Sequence, residues 1–438
     1  MLFDSNHYWL RNAHVPPSLI VGDIKGSGKN SDDLCAVDLE IVDSIITMIV
    51  PSEADGNNSD SAIDLKGGMV WPCFVDMHTH LDKGHIWNRA PNPDGTFSSA
   101  LTAVKTDAAK HWNETDVYRR MEFGLKCSYA HGTRAIRTHI DSFGEQGEIG
   151  FRVFKKLRDR WANKLTLQAV SLVTLDYFLT PEGEQLADLV ADVGGVLGGV
   201  AYMNPEIDAQ LDRVFTLAKE RNLNLDFHTD ENDDPASMTL RRVAQAAIRQ
   251  NYEGQVVCGH CCSLAVQAEA EANKTIQLVK KAGIGVVSLP MCNLYLQGRK
   301  SGTTPRWRGV TLLHELKQQG VSVAIASDNC RDPFFAFGDH DALEVFNLSV
   351  RIAHLDHPYS DWANAITLTP ADLMGLGQAG IGVGLPADLV LFKARSYGEL
   401  LSRSQHDRIV LRDGKSIDTT LPDYAELDDL FQTSHWRS

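Results

Sequence analysis

Through the middle of the chain, short apolar stretches alternate with longer segments whose apolar residues recur every three or four positions. The first pattern fits buried strands and the second amphipathic helices. Strands are predicted at 70–77, 134–140, 166–173, 196–202, 223–229, 255–260, 284–289 and 321–327. Between them lie helical runs such as 206–221 ("EIDAQLDRVFTLAKER") and 237–251 ("SMTLRRVAQAAIRQN"). Gly132, Gly283 and Gly320 stand shortly before strands, where helices must end.

Eight strand–helix units are the number that closes a parallel (β/α)8 barrel. The ends break the alternation. Residues 18–66 and 381–420 read as short β segments with turns, including "GIGVGLPADLVLF" and "DRIVLRDGKSI". The pattern therefore predicts an α/β protein with a TIM-like barrel over 67–380. Residues 1–66 and 381–438 are expected to form the two parts of a small β-sandwich domain. The polar stretch 52–61 ("SEADGNNSDS") reads as a surface loop.

Composition narrows the function. With 43% hydrophobic and 23% charged residues the chain is an ordinary globular protein. A formal charge of −15 without a basic cluster argues against a nucleic-acid partner. Residues 1–20 lack a basic start followed by an apolar core, so no signal peptide is expected. No apolar run approaches the roughly 18 residues of a membrane span. The eight cysteines read as reduced thiols of a cytoplasmic protein. The C-x-x-C inside "CGHCC" (258–262) is a single pair and carries no zinc assignment.

The strand ends carry the chemistry. Barrel enzymes place reactive groups at the carboxyl ends of their strands. Here strand one ends in His78 and His80, strand two in His139 and Asp141, and strand five in His228, Asp230 and Glu231. Strand six ends at His260, and strand eight at Asp328. Alternate strand positions share a face, so His78 and His80 can grip one ion together. Imidazoles with one carboxylate suit zinc or iron(II) and leave room for a water that the metal acidifies. Glu231, three residues past His228, is the candidate acid/base. The H-E-x-x-H helix of common metalloproteases is absent. So is the H-x-E…P-C-x-x-C signature of compact deaminases.

"FVDMHTHLD", His228, His260 and "ASDN" resemble the amidohydrolase superfamily. "RTHID" (137–141), "FHTDEND" (227–233), "NLYLQGR" (293–299) and "SDNCRDPFFAFG" (327–338) are more closely similar to its cytosine deaminase family. The resemblance spans essentially the whole chain. It implies one divalent metal, zinc or iron, held by His78, His80, His228 and Asp328. It implies too that Glu231 shuttles protons to a ring nitrogen, that His260 hydrogen-bonds the attacking hydroxide, and that Asp328 helps deprotonate the water. Two-metal branches use a lysine on strand four, and "VLGGVAYMNP" has none. That points to a mononuclear centre and deamination.

The substrate-facing positions depart from the pattern. Thr174 stands where bacterial cytosine deaminases carry a glutamine, Asn329 where they carry a second aspartate, and Phe334 where they carry a tryptophan. "DGTF" (94–97) resembles the loop whose backbone carbonyl meets the ring, which would place Phe97 there. The expected activity is hydrolytic deamination of cytosine, isocytosine or a related aminopyrimidine. A triazine-type enzyme releasing an alkylamine competes with it, favoured by Asn329 and opposed by Glu231. From another class, a catalytically silent barrel that only binds metal or ligand has little need for both Glu231 and His260. A small heterocyclic substrate, no membrane partner and homo-oligomeric assembly are expected. Lys83, His85 and Gln297 have open roles, and His139 is expected to support the metal site or line the pocket.

Overall fold

The computed structural model describes residues 5–22, 32–52 and 62–431, and most of the loop expected at 52–61 lies outside them. Eight strands make the barrel. They are β1 (Phe74–Thr79), β2 (Thr133–Asp141), β3 (Thr166–Leu172), β4 (Leu197–Ala201), β5 (Leu225–Thr229), β6 (Val256–His260), β7 (Gly285–Ser288) and β8 (Val323–Ile325). Strands β1 to β3 neighbour one another in order, as do β4 to β8. Parallel bridges Val170–Val196 and Thr174–Val200 join β3 to β4, and Thr79–Asp328 joins β1 to the segment after β8. The sheet thus closes on itself. Every residue of β1, β5, β6 and β7 is buried, as parallel strands covered on both faces require.

The predicted helices are present as Ile207–Glu220 and Thr239–Arg249. The first buries Ile207, Leu211, Val214, Phe215 and Ala218, the spacing of a single helical face. The strand expected at 70–77 is two strands. Val70–Pro72 pairs antiparallel with Leu389–Leu391, and Phe74–Thr79 enters the barrel. Pro72 has no N–H with which to continue one ladder through both.

The chain divides into two compact units. One comprises Met1–Val75, Ser128–Arg134 and Asp341–Leu421, and the other Asp76–Cys127, Ala135–His340 and Pro422–Ser438. This division differs from cuts after 66 and 380, because 67–75 and 341–380 fall with the flanks. The reason is Trp71, fully buried, whose ring meets Phe346, Phe392 and Tyr397 edge-on at 5.6, 6.3 and 6.2 Å. The flank unit holds two four-stranded sheets. One orders Ile45–Pro51, Cys35–Val42, His7–Val15 and Ala62–Asp64. The other orders Lys415–Ser416, Ile409–Arg412, Leu389–Leu391 and Val70–Pro72. His7–Val15 precedes the region read as β from sequence, although Tyr8, Leu10, Ala13 and Val15 are its buried residues. Among the described residues no helix is long and apolar enough to cross a membrane, and all eight cysteines are buried and unbridged.

Candidate active site

The barrel delivers the predicted residues to one place. His78 lies in β1 and His80 just beyond it, His228 in β5, His260 at the end of β6, and Asp328 three residues past β8. Asp328 Oδ1 lies 3.2 Å from His80 Nε2 and 3.6 Å from His78 Nε2. His228 Nε2 and His80 Nε2 are 3.3 Å apart. Asp328 N donates to the His78 carbonyl at 2.8 Å, which fixes the register between the first and last strand ends. His260 and Asp328 both hold φ in the left-handed region, at 67° and 64°. For non-glycine residues such backbone costs about 1–3 kcal/mol each, and it persists where surrounding structure enforces it.

These groups fit a metal ion. His78 is fully buried, yet neither of its ring nitrogens has a hydrogen-bond partner among the described residues. Buried polar atoms are otherwise almost always satisfied. Burial, with the neighbouring rings and cations adding to it, holds His78, His80 and His228 well below the usual imidazole range. They are therefore neutral, the form that ligates. Burial raises Asp328 to about 7, so a divalent cation would restore its carboxylate. His78, His80 and Asp328 each offer a ligand atom within 4.8 Å of the others, as do His78, His228 and His260.

Distance leaves His260 among the candidate ligands, and its Nδ1 meets further polar groups. Asn293 Nδ2 lies 3.0 Å from His260 Nδ1 and donates to Glu231 Oε1 at 3.3 Å. Glu231 Oε1 lies 3.4 Å from the same Nδ1, and if Nδ1 accepts from the amide the ring proton sits on Nε2, the tautomer that donates rather than ligates. Burial lowers His260 to about 3, which keeps the ring neutral. Glu231 is pushed the other way, well above the carboxylate range, first by burial and then by Asp328. Its neighbour Asp230 turns the chain there, with φ 52°, and accepts from Thr239 N, Thr239 Oγ1 and Leu240 N at the start of a helix. Asp230 is thus a helix anchor. Gln297 Nε2 donates to the Glu231 carbonyl at 3.2 Å.

A cavity of about 280 Å³ opens over this cluster and is lined by all four substrate-facing candidates, Phe97, Thr174, Asn329 and Phe334. Asn92 builds one wall by donating to the carbonyls of Thr96 and Pro333 at 3.0 and 2.9 Å. The Phe97 and Phe334 rings consequently meet edge-on at 5.3 Å. Thr96 caps the helix Phe97–His111 through its side chain. Phe97 is the first residue of that helix, and its ring lines the cavity. Asn329 Nδ2 is engaged by Asp332 at 2.7 Å. Val104, Ala108, Trp112 and Leu172 add apolar lining to the same cavity.

His139 does not line the cavity. Its ring lies 3.9 Å from that of His78, inclined by 33°, with Asp226 at 4.0 Å and Arg137 bound to Asp226 at 2.8 Å. Lys83 reaches Asp141 at 2.6 Å, and both line the cavity. His85 lies apart, with Cys330 and His340. Sequence reasoning missed Asn293. Its signal was the four-residue spacing to Gln297, which on a helical turn puts both on one face.

Comparison with known proteins agrees with this geometry. The amidohydrolase family model matches residues 61–139 and 155–417. The pterin deaminase of Rhizobium rhizogenes (strain K84 / ATCC BAA-868) is 52% identical over 421 residues, 96% of this chain and 95% of that one. N-isopropylammelide isopropyl amidohydrolase of Pseudomonas sp. (strain ADP) is 26% identical over 79% of this chain and 85% of its own. The crystal structure of 5-methylcytosine deaminase from Klebsiella pneumoniae with 5-fluorocytosine superposes with a TM-score of 0.80 at 25% identity, covering 93% of this chain and 97% of that one. The chain belongs to the amidohydrolase family and is a hydrolase of carbon–nitrogen bonds.

Proposed function

We propose that this enzyme deaminates pterins, replacing the 2-amino group of a 2-amino-4-oxopteridine by oxygen and releasing ammonia. The observation that carries the reading is the 52% identity to a pterin deaminase across 96% of the chain. It revises the single-ring substrate expected from sequence. The reacting half of a pterin is the 2-amino-4-oxopyrimidine of isocytosine, with a pyrazine ring fused to it. The cavity's apolar lining, with Phe97, Phe334, Val104, Ala108 and Trp112, offers a surface for that second ring.

His78, His80, His228 and Asp328 would hold one divalent ion, zinc or iron(II). When bound, it supplies Lewis-acid activation of a water. The chain's own groups handle the protons. Asp328 takes one from the water as its oxygen adds to C2. Glu231, held protonated by burial, gives its proton to the adjacent ring nitrogen. His260 donates from Nε2 to the incoming oxygen. The leaving nitrogen takes the proton from Asp328, the C2–N bond breaks and ammonia departs, and the hydroxyl proton left on the C2 oxygen returns to Glu231, restoring both carboxyl groups to their starting states.

Ammonia release from pterin, cytosine, isocytosine and an N-alkylated ammelide, with zinc- and iron-loaded enzyme in parallel, tests the reading. Pterin is expected to exceed cytosine by at least about 100-fold in kcat/KM, the scale a mismatched pocket imposes. Turnover of cytosine or the triazine with none of pterin overturns it.

A further inference from the structure

Cys330, His85 and His340 cluster outside the catalytic centre. Their exposures are 1%, 4% and 3%, and one ligand atom of each lies within 4.8 Å of the others. We infer that these residues form a second metal site, one that takes zinc and fastens the loop after β1 to the loop after β8.

The two loops are already zipped along their backbones. His85 N donates to the Cys330 carbonyl at 3.1 Å and Trp87 N to the Arg331 carbonyl at 2.9 Å. These are the loops that carry His80 and Asp328. His85 Nε2 and His340 Nε2 approach to 3.1 Å, close to the 3.3 Å between His80 and His228 in the catalytic cluster. Zinc–nitrogen bonds of about 2.0–2.1 Å at a tetrahedral angle place two ligand nitrogens about 3.3 Å apart. A hydrogen bond between the rings would account for that pair alone. It gives no reason for a buried thiol at the third corner.

The His340 backbone N–H donates to Cys330 Sγ, and hydrogen bonds to a ligating atom orient and tune it. Burial and the Asp339 carboxylate disfavour a free thiolate there, so the bound ion itself would have to displace the thiol proton. One thiolate with two neutral imidazoles suits zinc, and binding would release the thiol proton. His85 and His340 both hold left-handed backbone, at φ 63° and 55°.

Cobalt(II) reconstitution of the full chain tests the site, because thiolate-bound cobalt has a near-ultraviolet charge-transfer band. The catalytic set of three histidines and an aspartate contains no sulfur, so the band reports Cys330 alone. The wild type is expected to show the band and to hold about two metal ions per chain. Cys330→Ser and His340→Gln should each lower the content to about one, and Cys330→Ser should abolish the band. A wild type that binds a single cobalt without the thiolate band overturns the site, whether or not the variants fold.

Discussion

Asn293 secures Glu231 and His260 with one amide nitrogen, 3.3 Å from the carboxyl and 3.0 Å from the imidazole. The proposed proton donor and the proposed oxygen donor therefore share one tether. Asn293→Ala is expected to lower kcat about 10–100-fold, the usual cost of losing a group that orients a catalytic one. KM and metal content should change little. Steady-state kinetics checks this, and a rise in KM with kcat unchanged would reassign Asn293 to substrate binding.

Glu231→Gln keeps the shape and removes the transferable proton. An expected fall in kcat of about 10²–10⁴-fold follows from the loss of general acid catalysis. Metal content measured on the same sample should match the wild type. Near-full turnover with metal retained would place the proton donor elsewhere.

Chelation should remove activity and lower the melting temperature together, because the ion binds only the folded arrangement of His78, His80, His228 and Asp328. At a free metal concentration of about 100 times Kd, that linkage stabilises by about 2.7 kcal/mol. His80→Ala should erase the metal-dependent shift in calorimetry. Its persistence would remove His80 from the ligand set.

The barrel was legible because parallel strands covered on both faces are apolar runs, and β1, β5, β6 and β7 are buried throughout. The candidate ligands were legible because strand ends are where a barrel exposes chemistry. Other features depend on partners distant in sequence. Val70–Trp71–Pro72 looks continuous with β1, and only its pairing with Leu389–Leu391 separates it. Asn293 is an ordinary polar residue until β6 and the loop after β5 bring His260 and Glu231 to it. Arg137 and Asp226, 89 residues apart, form a buried pair that local patterning cannot predict.

Away from the metal, Asp116 anchors a buried charge network. It accepts from Arg89 at 2.5 Å and from Arg120 Nε at 2.9 Å, while Arg120 also donates to the carbonyls of Asp82 and Gly84. Burial pushes the Asp116 carboxyl up, but the two guanidinium groups outweigh it and leave it below its usual value. A depressed carboxylate stabilises the fold above its unfolded pKa of about 3.9, and the contribution is lost as pH falls through the lower folded value. Acid unfolding of the wild type should therefore steepen below about pH 4, and Asp116→Asn should blunt that dependence. Because the substitution strands Arg120 in a dry site, it should cost about 3–5 kcal/mol near neutral pH. Denaturant titration at both pH values measures each effect.

Thr174 offers the sharpest test of substrate choice. It lines the cavity at the carboxyl end of β3, bridged to Val200 of β4. A threonine hydroxyl is one short donor and acceptor, whereas a glutamine amide presents a paired donor and acceptor and reaches farther. Thr174→Gln should consequently do two things at once. The longer side chain takes cavity volume from a fused bicycle, while its amide gives a single pyrimidine ring the paired contacts that threonine lacks. Pocket polar groups change preference by about 10²-fold or more when they are matched or left unpaired. The ratio of kcat/KM for pterin to that for cytosine should fall by about that factor, with metal content unchanged. If the ratio holds and both activities fall equally, Thr174 is a wall residue and ring selection lies with Phe97, Asn329 and Phe334.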